Sequence, residues 1–335
     1  MLIDRNYTLP EFLLWTRRNI YLLLVLSIVP VVLYEVVGLR FLTIPFAIVF
    51  LLGTTVALSA GFKNLQAYNR MQDAQVLWVS IASTSRAFGI ACRDLISDRM
   101  VAKVFVNRHL AWLATLRHEM RKRKPWESTD KAYNVEWRNR YKIPEREQTL
   151  TSELLRYLAP DEAAQVLESR NKSYQALALQ SADAKRLLDA GAISPVAFAE
   201  VQRAMREFQD QQCKTERIKD FPYPRQLAFI HSTFVWILRI LLPFGMISEF
   251  ERLNEMVTGW ASGRMVWLAI PLSLLISWMY TSLDQVNEAT ENPFEGGTND
   301  VPITHMCEQV ELDLREVLGE IGLPQAVRTP SGIAM

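Results

Sequence analysis

The sequence predicts an all-α integral membrane protein with four spanning helices and a large helical domain outside the bilayer. Three observations carry this. Residues 20–37, 41–62, 232–247 and 265–280 are apolar stretches of spanning or near-spanning length. Between the second and third lie roughly 170 residues that are charged, nearly free of glycine and periodic at helical spacing. Period-two alternation, the mark of strands, is all but missing.

The first span contains Pro30 and Glu35, and the third contains Arg239. At mid-helix facing lipid a charge costs about 2.5–3.5 kcal/mol, so both charges are expected to face a bundle interior or the interface. The second span, residues 41–62, is uncharged, and as a helix it is roughly 33 Å long, enough to cross a bilayer. Its second half is interrupted by Gly53, Thr54, Thr55, Ser59, Ala60 and Gly61. Small and hydroxylated residues suit close helix packing or a wet cavity better than lipid tails.

Below that span Leu65, Tyr68, Leu77, Ile81 and Phe88 fall near multiples of 3.6, with Lys63, Arg70, Asp73 and Arg86 between them. The second span therefore continues as a long helix. A further helix covers 96–121, and 122–143 reads as a surface connection. Pro160 followed by Asp161 and Glu162, and Ser194 followed by Pro195, are helix starts, giving helices over 160–190 and 195–218. Phe221-Pro-Tyr-Pro224 stops the second of these and leads back to the membrane. A last helix begins near Ile303, and its stretch from Glu308 to Glu320 reads as a solvated amphipathic face.

The chain thus divides into an N-terminal segment with two spans (1–62), a cytoplasmic helical domain (63–230), two more spans (231–283) and a cytoplasmic C-terminal segment (284–335). Arg5, Arg17 and Arg18 precede the first span; Lys63, Arg70, Arg86, Arg93, Arg99 and Lys103 follow the second. The positive-inside rule then puts both termini on the cytoplasmic side of the membrane. Glu249, Glu251 and Glu255 fall in the outer loop, which agrees with that topology.

Bulk composition hides this two-part chain: 22% charged residues, 50% hydrophobic residues and a net charge of +1 resemble a soluble protein. The near-neutral balance gives no case for a nucleic-acid surface. Cys92, Cys213 and Cys307 are widely spaced and fall in cytoplasmic segments, so no disulfide framework is expected. His109, His118, His231 and His305 are scattered, and no nucleophile elbow, zinc-helix motif or phosphate-cradling glycine loop occurs. The reading is of a non-enzyme with no cofactor. His305 and Cys307 are read as packing and capping beside a helix start and not as metal ligands.

Two ordered patterns carry a resemblance. One is Gly61-Phe62-Lys63-Asn64 followed by Tyr68, Arg70 and Leu77-Trp78. The other is Glu216-Arg217-Ile218, Pro222-Tyr-Pro224, His231, Leu242-Pro243-Phe244, then Asp284 through Asn292-Pro-Phe294, with Asn299-Asp300 and Cys307 downstream. Together they resemble the bestrophin family, above all its bacterial branch. The resemblance covers both membrane pairs and the segment after the last span, while 95–190 matches only in helical character.

What the resemblance implies is a homopentameric ion channel in the lipid bilayer, passing small monovalent inorganic ions through one central pore. It places a hydrophobic neck at Phe62, with Leu58 and Thr54 above it. Spacing supports this separately, because residues four apart stack on one helix face. Five copies of an apolar ring can gate by dewetting. Thr54 departs from the usual aliphatic residue, so the outer neck is expected to be more polar. The resemblance brings Ala197, beside Phe198, to a second, cytoplasmic aperture, which alanine would restrict little; a slip of one residue to Val196 or Phe198 reverses that. Animal members carry a calcium-binding acidic run after Asn-Pro-Phe; here the stretch is Glu295-Gly-Gly-Thr-Asn-Asp300, where Asp300 is the remaining candidate and calcium gating is not expected. Ion sign stays open: Lys63 below the neck could favour anions, Asp73 and the outer glutamates cations. The alternative from another class is a membrane-anchored helical scaffold that docks cytoplasmic partners without conduction, and oligomeric mass separates the two.

Overall fold

The computed structural model describes residues 6–138, 141–259, 262–322 and 332–335, and its elements are helices throughout. They group into two compact units, one of Tyr7–Asn69 with Tyr223–Glu291, the other principally of Arg70–Pro222 with Asn292–Met335. Four helices are long and apolar enough to cross a membrane.

The first, apolar unit contains α1 (Leu9–Glu35), the N-terminal part of α2 (Phe46–Leu95), α10 (Arg225–Met256), a 3₁₀ turn (Met265–Leu268) and α11 (Ala269–Glu288). Pro10 lies in the first turn of α1, where the Glu11 carboxylate accepts from the Thr8 N–H at 3.2 Å, so an exposed donor of the helix start is met. Val31, Tyr34, Val49, Val56, Leu238, Leu242, Ile247 and Ala269 form the core. Close packing of α10 on α2 depends on Gly245, where a Cβ would fall 2.7 Å from Val49 Cγ2. The unit also turns large apolar residues outward, among them Tyr21, Val25 and Phe50, as expected where the surrounding solvent is lipid.

The second, polar unit is built from the rest of α2, α3 (Arg99–Arg121), α4 (Ala132–Arg138), α5 (Pro144–Glu147), α6 (Leu150–Leu154), α7 (Pro160–Glu168), α8 (Lys172–Asp189), α9 (Pro195–Asp220) and α12 (Ile303–Val317). Side-chain caps set three of the starts: Asp98 accepts from Met100 N at 2.8 Å, Asn171 from Tyr174 N at 2.9 Å and Ser194 from Ala197 N at 3.1 Å. Asn171 is why the single helix expected over 160–190 is two, since its cap restarts the chain after α7. The connection expected over 122–143 also contains the short α4.

An aromatic core holds α2, α3 and α9 together in this unit. His109 is fully buried with its ring 4.4 Å from Phe208 and 5.2 Å from Trp112, and its Nε2 lies 2.8 Å from Ser85 Oγ. Burial without a counter-charge pushes the imidazole down from its ordinary value to about 3. Charges here are met in pairs: Arg108 joins Glu162 and Asp183, and Arg117 joins Glu153.

Candidate functional site

α2 sorts its residues by face. Val49, Val56, Ala60, Lys63 and Ala67 point into the apolar unit, whereas Leu51, Thr54, Thr55, Leu58, Phe62 and Leu65 are exposed within the chain. Leu58 is 65% exposed and Phe62 64%. Packing inside the subunit therefore does not account for either side chain. At about 100° per residue, Leu51, Thr55, Leu58, Phe62 and Asn69 fall within about 40° of one line along the helix.

Thr54 lies off that line, and Thr55, which the four-residue spacing passes over, lies on it. Both hydroxyls donate to the Leu51 carbonyl, at 2.8 and 2.9 Å. Their protons are committed to the helix, which leaves acceptor lone pairs and methyl groups facing outward.

Lys63 occupies the opposite side. It is 3% exposed, and its ammonium donates to Asp284 Oδ1 of α11 at 2.8 Å. The same oxygen lies 3.4 Å from His231 Nε2 of α10, while His231 Nδ1 is 2.9 Å from Ser59 Oγ. The expectation that Lys63 lends its charge to a passage is thereby corrected: one residue of helical rotation carries it into the unit, where a carboxylate neutralises it. What the cluster does is tie α2, α10 and α11 together directly behind Phe62 and fix the rotation of α2. Spacing gave no hint of Asp284, which is distant in sequence. Its place in the ordered Asp284–Phe294 pattern was the available signal.

Arg239 is buried with its guanidinium 4.9 Å over the Trp236 ring, an inward placement as its charge requires. Asp73, on the polar unit's part of α2, is exposed.

At the start of α9 the expected register is off by one. Ala197 is 1% exposed and packs in the core, and Phe198 packs partly buried against the same core, while Val196 is 67% exposed. The Ser194 cap fixes this orientation. Ala197 and Phe198 are therefore replaced by Val196 as the residue presented outward at this helix start.

Asp300 is 3% exposed, accepts from the Gly296 N–H at 2.7 Å and faces the Arg121 guanidinium at 3.7 Å. Gly296 adopts φ +86°, and a Cβ there would meet Ile143 Cδ1 at 2.6 Å, so the tight turn needs glycine. An internal guanidinium stands beside the carboxylate that a calcium ion would need. Among the described residues no three His, Cys, Asp or Glu side chains gather to hold a metal. Glu295 accepts from the Ser128 N–H and hydroxyl and from Asn292. Burial, then repulsion from Asp300 and Glu127, pushes its carboxyl up to about 8.

Comparison with known proteins gives a consistent answer. The sequence model of the family described as Bacterial/Fungal Bestrophin protein matches residues 16–316. A voltage-dependent anion channel-forming protein, YneE of Salmonella typhi, is 24% identical over 310 residues, covering 92% of this chain and 88% of its own. Its counterpart mll4386 of Mesorhizobium japonicum is 25% identical over 271 residues, covering 81% and 74%. The crystal structure of a bacterial bestrophin homologue from Klebsiella pneumoniae superposes with a TM-score of 0.74 at 21% identity, covering 91% of this chain and 99% of that one.

Proposed function

The chain belongs to the bacterial and fungal bestrophin family, and from that premise we propose that it assembles as a homopentamer in the cell's inner membrane and conducts small monovalent anions. The observation that carries the reading is the exposed line through Phe62 and Leu58 on a helix whose other face is locked by the Lys63–Asp284 pair. Five such lines around an axis make an apolar neck, which offers an ion nothing in exchange for its hydration shell and so gates by dewetting. Thr55 lies on its outer part, with Thr54 to one side.

On this reading Val196, and not Ala197, rings the second aperture, so the cytoplasmic exit is tighter than an alanine ring would make it. Asp73, eleven residues or roughly three turns after Phe62 on the same helix, supplies the nearest exposed charge below the neck. With Lys63 neutralised, no lysine ring assists anions there. Anion passage is supported by the relatives, which are named as voltage-dependent anion channel-forming proteins and each align over most of their length. Both termini lie on the cytoplasmic side, and the protein's work is passage and not catalysis.

The test is planar-bilayer recording of the purified protein in asymmetric potassium chloride. A reversal potential near the chloride equilibrium potential is expected; one near the potassium potential overturns the anion assignment. A monomer or dimer by native mass in detergent overturns the pentamer.

A further inference from the structure

The polar unit contains a cavity of about 170 Å³ between α3, the α5–α6 segment and α12. Leu110, Leu113 and Ala114 of α3 give it an apolar wall, and Glu153, Glu308 and Glu311 bring carboxylates to it beside the guanidiniums of Arg117 and Arg156. Two of these carboxylates are already occupied. Glu153 holds Arg117 and lies 2.8 Å from His118 Nε2. Glu311 accepts from the Tyr157 hydroxyl at 2.7 Å and from Arg315 at 2.9 Å, and Arg156 stands 3.5 Å away.

Glu308 is different: it is half-buried, lines the cavity and makes no hydrogen bond or ion pair with any described residue. Burial pushes its carboxyl above the usual range, with Arg117 and His305 pulling the other way. Beside it Cys307 is a neutral wall, since burial raises its thiol to about 12. A carboxylate that no protein donor meets is open to a ligand, and an ammonium with three N–H groups is a small group that can satisfy it.

We propose that this cavity binds a small organic cation, an alkylammonium with its charge on Glu308 and its hydrocarbon body against Leu110, Leu113 and Ala114. Among the described residues, Glu308 is the charged side chain of the lining that has no ion pair, whereas Arg117 and Arg156 are both paired with carboxylates, which disfavours an anion. A single free carboxylate with its neighbours taken by arginines is a poor metal site. The volume matches a ligand of about six non-hydrogen atoms, the size that a cavity of about 150 Å³ admits. The site lies wholly within the polar unit, so it stands or falls separately from conduction.

The test is calorimetric titration of the full-length oligomer in detergent with n-butylammonium chloride, with n-butanol as the neutral match in shape. Saturable binding of the ammonium is expected, with butanol and the Glu308→Gln variant each weaker by at least about tenfold, the lower end of the scale for one hydrogen bond to a charged group. Glu316→Gln, on the exposed face of α12, leaves the affinity unchanged. Equal binding of butanol, an undiminished Glu308→Gln affinity or no saturable heat overturns the proposal. If Glu308→Gln does not remain monodisperse, crystals of the wild type soaked in 3-bromopropylammonium decide. An anomalous peak in the cavity supports the site, and none there overturns it.

Discussion

Phe62 and Val196, the two residues proposed to ring the passage, are exposed to nearly the same degree, but their neighbours hold them in different ways. Phe62 sits about a third of the way along a fifty-residue helix, and a buried ion pair one position on fixes its direction. Val196 sits in the first turn of α9, aimed by a serine cap and backed by Ala197 in the core. In the first place rotation is set by charge burial, in the second by packing of a methyl group. Damage to the two supports should therefore differ in size as well as in kind.

The largest effect belongs to the charged support. Asp284→Asn strands the Lys63 ammonium in the apolar unit, and breaking a buried pair from one side costs about 3–5 kcal/mol. A large fall in the thermal midpoint in detergent is expected, with most of it restored when Lys63→Met is added. A single variant as stable as wild type would mean that the pair does not hold α2.

At the second place the expected cost is smaller and reverses with register. Ala197→Leu overpacks the core and should cost about 1–3 kcal/mol. Val196→Ala, at an exposed position, should stay within about 0.5 kcal/mol of wild type while raising current. If Ala197→Leu is tolerated and narrows conductance, the aperture belongs to Ala197 after all.

The effects spread most thinly over conditions are titrations in the polar unit, each developing over several pH units. His109 is held well below its ordinary value, so its contribution is full above pH 6.5 and is lost as pH falls from there toward about 3. Glu295 has the opposite sign: its raised carboxyl contributes below its ordinary 4.5, and that stability is lost as pH rises through about 8. Thermal midpoints across pH should show Glu295→Gln gaining on wild type between these limits. A constant difference would remove Glu295 from the account.

Much of this architecture was legible in the sequence, because long apolar runs and 3.6-residue spacing report directly on which face is buried. The exposed face of α2 through Leu58 and Phe62 was readable for that reason. Errors came where one residue of rotation decides the outcome. Lys63 follows Phe62 in the chain, but a step of about 100° turns it inward, and its partner Asp284 leaves no local trace. Thr55 was missed because exact fours drift away from a helix line that Thr55 follows. The Ser194-Pro195 start was visible, yet which of the next three side chains turns outward depends on what α9 packs against, which spacing in so short a turn does not reveal. The break at Asn171 was likewise a single cap inside an otherwise helical stretch.

The central claim is that Phe62 faces an ion passage and constricts it. Single-channel recording of wild type and Phe62→Ala under identical salt tests it most directly. Truncating five phenylalanine rings should raise unitary conductance severalfold with the oligomer intact, because a wider neck stays wet. Unchanged conductance in a pentamer that conducts, or silence in both proteins, would contradict it.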